Sequence, residues 1–199
     1  VEDKLPHNQG LKTIHNVYLR ILLLATARPN QLRHEEIEST YNLLELLAPI
    51  AELDTYDPAA LAYIRDRAPM PICSGENLYG LRDWRPYFEK HAMDVASIDV
   101  SWNGVWQAKK IADMAELYEM NVAPHNHHSH LGTLMSAHFA AAIPNLRILE
   151  VDVDDVPWKD DLTSQAPAIE QGFMGLPSGP GWGAEINEDV LGQHPPKFL

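Results

Sequence analysis

The sequence predicts an α/β fold built from repeated strand, loop and helix units, and two regularities support this prediction. Short apolar stretches recur along the chain, and each closes on an acidic residue or a histidine. The closing residues are separated by 23 to 26 residues, a spacing that suits the βα units of a parallel sheet. They are Glu52, Glu76, Asp99, His125 and Glu150.

The apolar stretches themselves are predicted to be strands. They are short continuous runs rather than alternating patterns, as expected for parallel strands that are buried on both faces. The five segments are residues 49–52, 71–76, 95–99, 122–125 and 148–150.

Capping residues predict two of the intervening helices. Asp57 and Pro58 suit the N-cap and the first position of a helix over residues 59–67. Ser129 is suited to cap a second helix over residues 131–143.

Apolar spacing predicts the other helices. Over residues 105–120, four apolar side chains share one helical face, and these are Ile111, Met114, Ala115 and Tyr118. Residues 84–91 form a shorter candidate helix, and residues 188–191 form another after a tail rich in glycine and proline.

Polar residues at successive strand ends favour a (β/α) barrel, because those ends converge on one mouth of the barrel. An open doubly wound sheet is the alternative, since its ligands also bind at the carboxyl ends of strands. No Gly-x-Gly-x-x-Gly follows a strand, which favours the barrel. A full barrel takes about 250 residues, so the sequence predicts a partial TIM-type barrel that holds the later strands.

Composition excludes several classes of partner. The formal net charge of −13 argues against nucleic acid and against anionic membrane surfaces. The longest apolar run, residues 21–25, is too short to span a bilayer. Cys73 is the single cysteine, so an internal disulfide is impossible and a reducing, cytoplasmic compartment is expected.

Glu52 and Glu76 are the predicted ligands of a divalent metal ion. They close adjacent strands, and carboxylate oxygens are the protein ligands that Mg²⁺ prefers. For either residue alone, a loop carboxylate paired with a lysine or arginine would be the simpler interpretation. The common period across five strands favours the metal site.

Asp99 and His125 close the next two strands and form a predicted acid/base pair. A carboxylate that is hydrogen-bonded to an imidazole fixes its tautomer and raises its basicity. His125 is therefore a candidate general base or acid near neutral pH. Glu150 is suited to donate a hydrogen bond to a substrate carboxylate, provided that its pKa is raised.

Four histidines crowd one loop after the fourth predicted strand, namely His125, His127, His128 and His130. A transition-metal site is conceivable for such a cluster. Closely spaced loop histidines rarely all reach one ion, however. The alternatives are that one of the last three reaches the substrate, or that these three line the loop.

These residues resemble the mandelate racemase and muconate-lactonizing branch of the enolase superfamily. The resemblance covers residues 52–195, and order and spacing both agree. It is carried by PICSGEN at residues 71–77, DVSWNG at 99–104, KKIA at 109–112, APHN at 123–126, PN at 144–145 leading to Glu150, and GPGWG at 179–183.

The resemblance implies a role for each predicted site residue. Glu52 and Glu76 are similar to the second and third metal-binding carboxylates of the family. Asp99 and His125 resemble the dyad that moves protons, and Glu150 resembles the acidic group that hydrogen-bonds the substrate carboxylate.

The resemblance also implies an activity. Members of this branch use Mg²⁺ and abstract the proton α to a carboxylate. An acid-sugar dehydratase, a lyase that yields a 2-keto-3-deoxy acid, is the leading expectation, and a racemase or epimerase of a 2-hydroxy acid is the alternative. The full-length enzyme is expected to be a homo-oligomer that binds a small carboxylate.

Residues 1–50 do not resemble the family and are predicted to be a separate, unassigned segment. They show neither the first metal ligand nor the strand that bears the second base, and neither Lys12 nor Glu45 matches a family motif. The N-terminal capping domain is expected to be absent, and residues 51–199 to be the barrel portion, with a tail that returns toward that domain. An inactive fragment therefore stays an alternative.

Overall fold

The computed structural model describes residues 51–52, 56–152 and 157–195. The predictions for residues 1–50 lie outside this part of the chain. Within it, one parallel sheet has its strands in sequence order, which confirms the α/β prediction. The strands are β1 (Ala51–Glu52), β2 (Ile72–Ser74), β3 (Val95–Ala96) and β4 (Asn121–Val122).

The fifth predicted strand is reduced to a single parallel bridge. Leu146 bridges to Val122 of β4, and the backbone N–H of Arg147 donates to the Val122 carbonyl at 2.8 Å. The pairing therefore falls before residues 148–150, where a strand was expected. Ile148 is 59% exposed, so the prediction of a buried strand at those residues is wrong.

Helices alternate with the strands. They are α1 (Pro58–Arg65), α2 (Gly80–Glu89), α3 (Val100–Asn103), α4 (Val105–Leu117), α5 (His130–Ala141) and α6 (Glu188–Gln193). The helices predicted over residues 59–67, 105–120, 131–143 and 188–191 are confirmed as α1, α4, α5 and α6, with ends that differ by at most three residues.

Local capping explains the start of α1, while a tertiary contact explains the start of α2. The Asp57 carboxylate accepts from the Ala59 N–H at 2.8 Å, as predicted. Helix α2 begins four residues before the predicted residue 84, because the Gly80 N–H finds an acceptor in the Asn103 side chain at 2.8 Å.

The predicted cap of α5 is confirmed in position only. Ser129 is the N-cap residue, but its side chain makes no capping hydrogen bond. Its backbone carbonyl accepts from the Thr133 N–H at 3.0 Å, which is the first hydrogen bond of the helix.

The core lies between the sheet and its covering helices. Its largest fully buried side chains include Leu61 of α1, Trp84 and Phe88 of α2, Ile111 of α4 and Phe139 of α5. The Trp84 and Phe88 rings stack with centroids 5.4 Å apart. Fully burying one such side chain contributes about 1.5–3 kcal/mol, so these contacts hold the strands in place.

An ion pair also joins α1 to the sheet. Arg65 donates from Nη2 to Oδ1 of Asp94 at 2.7 Å, and Oδ2 of Asp94 accepts from the Ile72 N–H at 2.8 Å. Asp94 lies just before β3, so this one carboxylate links α1, β2 and β3.

After the barrel portion the chain forms a largely exposed tail. It contains a 3₁₀ turn (Asp160–Leu162), an antiparallel hairpin of β5 (Ile169–Glu170) with β6 (Phe173–Met174), and α6. An antiparallel bridge between Thr163 and Ile186 closes it into a loop. Among the helices described, none has the length and apolarity needed to cross a membrane.

Candidate active site

The predicted site residues all follow the carboxyl ends of the parallel strands. Glu52 ends β1, Glu76 lies two residues after β2, and Asp99 and His125 lie three residues after β3 and β4. Glu150 lies four residues after the Leu146 bridge. The carboxyl ends of parallel strands meet at one edge of the sheet, so five separate segments deliver these side chains to one region.

His125 is the centre of this region. Its Nδ1 lies 2.9 Å from Oδ2 of Asp99, and its Nε2 lies 3.4 Å from Oε2 of Glu76 and 4.0 Å from Oε2 of Glu150. The His125 backbone N–H donates to the Ile98 carbonyl at 3.1 Å, which fixes the start of the loop. The imidazole is therefore held by one carboxylate and turned toward two others.

Both side-chain oxygens of Asp99 accept hydrogen bonds. Its Oδ1 accepts from the Trp102 N–H at 2.7 Å and caps α3, while its Oδ2 accepts from His125 and from Nε2 of His128 at 2.8 Å. Burial would raise the pKa of Asp99, but the hydrogen bonds from His125, Trp102 and His128 outweigh burial and lower it. Asp99 is thus ionised at neutral pH.

The ionised acceptor determines the tautomer of His125. A carboxylate anion only accepts, so Nδ1 of His125 carries the proton and Nε2 is left to take one up. The hydrogen bond to Asp99 is the largest cause of the raised pKa of His125. Burial opposes it, while the charges of Glu150 and Glu76 add to it. The ring is therefore a stronger base than a free histidine.

Three carboxylates converge beside this histidine. The Glu52 residue retains solvent access, but protein atoms crowd its carboxylate and raise its pKa by desolvation, and the charges of Glu150 and Glu76 raise it further. Ser97 donates from Oγ to Oε1 of Glu52 at 3.5 Å. A divalent cation among these oxygens would relieve the repulsion, so Glu52 and Glu76 suit Mg²⁺.

Asn126 is a residue that the sequence analysis missed. Its backbone N–H donates to Oε2 of Glu150 at 2.7 Å, and its side-chain Nδ2 donates to the Glu150 carbonyl at 3.0 Å and to Oγ1 of Thr133 at 2.9 Å. The side chain is fully buried. Asn126 therefore orients Glu150 toward His125, and the sequence signal for this residue is its place beside His125 in the APHN segment.

The loop histidines separate into different environments. His127 lies 3.8 Å from Asp152 with a side chain that is 64% exposed, and His130 lies 2.6 Å from Asp160. His128 instead contacts Asp99. The four histidines thus do not converge on one point.

One smaller group does have the geometry of a metal site. Asp99, His125 and His128 each place one ligand atom within 4.8 Å of the others. Two imidazoles and one oxygen suit a transition metal better than Mg²⁺. Both imidazoles also share one Asp99 oxygen as hydrogen-bond donors, so the magnesium site at the glutamates stays the prediction.

The fold and the converging carboxylates define part of an α/β barrel with a candidate acid/base site at the carboxyl ends of its strands, and comparison with known proteins identifies its family. The family model described as "Enolase C-terminal domain-like" matches residues 49–190. The chain belongs to this family, within the mandelate racemase and muconate-lactonizing branch of the enolase superfamily. Its fold is therefore part of a TIM-type barrel. A second family model, "Cyclic-di-GMP receptor FimW, N-terminal domain", matches residues 1–59.

Among curated proteins, the chain is similar to D-xylonate dehydratase of Haloferax volcanii. Identity is 38% over 125 residues, which is 62% of this chain and 30% of that enzyme. It is also similar to a D-galactonate dehydratase family member of Musicola paradisiaca, with 27% identity over 192 residues, which is 94% of this chain and 43% of the relative. The chain spans less than half the length of these relatives.

Among solved structures, the chain is similar to a protein from Burkholderia xenovorans that is provisionally described as an L-alanine-DL-glutamate epimerase. That crystal structure contains magnesium and fumarate. Sequence identity is 44% and the TM-score is 0.77, and the match covers 83% of this chain and 41% of the other.

Proposed function

We propose that this chain is the barrel portion of a Mg²⁺-dependent enzyme that removes the proton α to a carboxylate. The single observation that carries the proposal is the environment of His125. Asp99 holds one ring nitrogen at 2.9 Å, while the other faces Glu76 at 3.4 Å and Glu150 at 4.0 Å. A basic nitrogen beside a cluster of metal-binding oxygens suits this chemistry.

The reaction that we propose for the whole protein is dehydration of an acid sugar to a 2-keto-3-deoxy acid. Support comes from relatives that are named D-xylonate and D-gluconate dehydratases, at 38% and 31% identity. In such a reaction the α C–H bond and the β C–O bond both break, and the lost hydrogen and hydroxyl leave as water.

Each site residue has a distinct part in this proposal. Glu52 and Glu76 would hold the metal ion, which supplies positive charge near the substrate carboxylate when it is bound. His125 takes the α-proton on Nε2, and Asp99 stabilises the imidazolium that forms. Glu150, which the Asn126 N–H holds at 2.7 Å, is proposed to contact the substrate carboxylate.

Calorimetric titration with Mg²⁺ tests the metal site directly. We expect the chain to bind Mg²⁺ and the Glu76→Gln variant to lose that binding. The matched control is Glu170→Gln, which removes an equal charge from the exposed tail hairpin. Equal binding by both variants would contradict the assignment of Glu76, and no binding by any protein would favour the inactive-fragment alternative.

Hydrogen exchange in D₂O tests the base. D-xylonate, D-gluconate and D-galactonate are incubated with the chain and Mg²⁺, and deuterium at the α-carbon is followed by NMR. We expect the His125→Ala variant to abolish exchange, while His127→Ala, in the exposed part of the same loop, retains it. Unchanged deuterium wash-in with His125→Ala would exclude His125 as the base.

Epimerisation is the second candidate, since the Burkholderia xenovorans protein at 44% identity is described as an epimerase. Both reactions begin with loss of the α-proton, but an epimerase returns a proton to the opposite face. The product distinguishes them: a keto acid indicates dehydration, whereas an inverted α-carbon with no loss of water indicates epimerisation.

A further inference from the structure

The Asp99 carboxylate carries one more hydrogen bond than a histidine–aspartate pair requires. Besides His125, Nε2 of His128 contacts the same oxygen, Oδ2, at 2.8 Å. The other oxygen is occupied by the Trp102 N–H. The Asp99 side chain has no exposed surface, so His128 is the contact that closes the second side of Oδ2.

A missing side chain on α5 makes room for this histidine. A Cβ atom added at Gly132 would lie 2.5 Å from Cβ of His128, a separation that real Cβ atoms do not show. Gly132 lies in the first turn of α5 and is buried, so the glycine is required by space. The steric room and the hydrogen bond are two separate features that place His128 in the same position.

The neighbouring histidine provides a contrast. His127 has a side chain that is 64% exposed and lies near Asp152, and His128 has one that is 25% exposed and lies on Asp99. Only one of these adjacent residues therefore reaches the dyad. Because His128 contacts Asp99, the partner of His125, its effect on His125 passes through that carboxylate.

We propose that His128 is a positioning residue, which rests on the function proposed above. By donating to Oδ2 it keeps the Asp99 carboxylate from rotating about its Cβ–Cγ bond, and so keeps that oxygen in line with Nδ1 of His125. Two donors on one oxygen also fix both tautomers, with the proton on Nδ1 of His125 and on Nε2 of His128. His128 thereby holds Nε2 of His125 in the proton-accepting form.

NMR of the chain labelled with ¹⁵N-histidine tests this directly, without substrate or metal. The signals followed are the tautomers of both rings and the solvent exchange of the His125 Nδ1 proton. His128→Leu removes the donor, and His128→Gln keeps one at a similar reach. Gly132→Ala displaces His128 while leaving it in the sequence, and His127→Leu is the control from the same loop.

We expect His128→Leu and Gly132→Ala to speed exchange of the His125 proton by about tenfold or more, the order expected for loss of one hydrogen bond to a charged group. His125 should then populate both neutral tautomers. His128→Gln and His127→Leu should leave exchange within about twofold of the original chain, a change smaller than any hydrogen-bond loss.

Two results would overturn the proposal. One is unchanged exchange and tautomer in a folded His128→Leu chain, and the other is a Gln variant that behaves like Leu. If His128→Leu does not fold, the proposal is tested by comparing the exchange of the His125 proton in Gly132→Ala and in His128→Gln. Absence of α-proton exchange in the unaltered chain, with the NMR result as expected, would count against the proposed activity of this chain and leave the positioning role standing.

Discussion

At the scale of single residues, Asp99 connects local structure to chemistry. Its Oδ1 caps the four-residue helix α3 through the Trp102 N–H, and its Oδ2 receives two imidazoles. The cap holds Oδ1, and Oδ2 is left to face the two imidazoles. A local helix-capping preference therefore contributes to the geometry of the predicted acid/base pair.

The Asp99→Asn variant is expected to lower the free energy of unfolding by about 1–3 kcal/mol, the cost of a buried donor that loses its acceptor. The amide can still cap α3 through its oxygen, but its NH₂ group then faces the protons of His125 and His128. Urea denaturation gives the measurement. The control is Asp57→Asn at the cap of α1, where Asn and Asp cap about equally well, and similar losses in both variants would contradict this account.

The raised pKa of His125 predicts a shifted pH profile for α-proton exchange. Only the neutral ring accepts a proton, so the rate should rise with pH through a pKa that lies above the ordinary value of 6.5. The Asp99 hydrogen bond is the largest cause of the shift, so Asp99→Asn should move this rise to lower pH. A rise centred at or below 6.5 in the unaltered protein would contradict the prediction.

The raised pKa of His125 also makes the free energy of unfolding depend on pH. This contribution decreases as pH rises, whereas the exchange rate increases. Because folding favours the protonated ring of His125, its contribution is fully present below pH 6.5 and is lost as pH rises through the folded pKa. Asp99, whose pKa is lowered from 3.8, contributes stability above that value, which is lost as pH falls through the folded pKa. Both contributions are measured by the free energy of unfolding of the metal-free protein as a function of pH.

At the scale of elements, the connection from β2 to α2 places Glu76. Gly75, just before Glu76, has φ +115°, and a Cβ there would lie 2.4 Å from Cη2 of the fully buried Trp84. The backbone thus passes close against the indole ring of Trp84. This close approach fixes the direction in which the next residue leaves the strand.

The Gly75→Ala variant is therefore expected to lower the free energy of unfolding by about 2–5 kcal/mol, since overpacking and backbone strain both contribute. It should also weaken Mg²⁺ binding, because Glu76 moves with its neighbour. Gly172→Ala is the matched control: its φ is +81°, but nothing lies within 4 Å of the added atom. An equal loss of stability in both variants would mean that backbone strain is the whole cause and that the Trp84 side chain moves to accommodate the added atom.

At the scale of the whole molecule, repeated and local features were predictable from the sequence, whereas features set by distant contacts were not. The period of the first four strand ends is repeated and the cap at Asp57 is local, and both were found. The start of α2 depends on Asn103, which is 23 residues away. The contacts of Asn126 and His128 are with partners 24 and 29 residues away, so the sequence near them does not predict which residues they contact.

Exposed apolar side chains on the tail predict that this chain self-associates. Phe173 is 80% exposed at the hairpin, and several large apolar neighbours along the tail are 45–49% exposed, namely Ile169, Leu176, Ile186 and Leu191. Monomeric soluble proteins rarely expose large contiguous apolar patches, and such surfaces tend to bind other surfaces. We therefore expect sedimentation velocity to show species that grow with protein concentration.

Single substitutions of exposed aromatic residues show which surface causes the self-association. Phe173→Ser should shift association to higher concentration, because it removes the most exposed apolar ring of the tail. Tyr56→Ser is the matched control, since Tyr56 is also 80% exposed but lies before α1. Equal effects of the two substitutions would mean that association depends on general exposure. A single monomeric species at every concentration would mean that the tail side chains cover one another in solution.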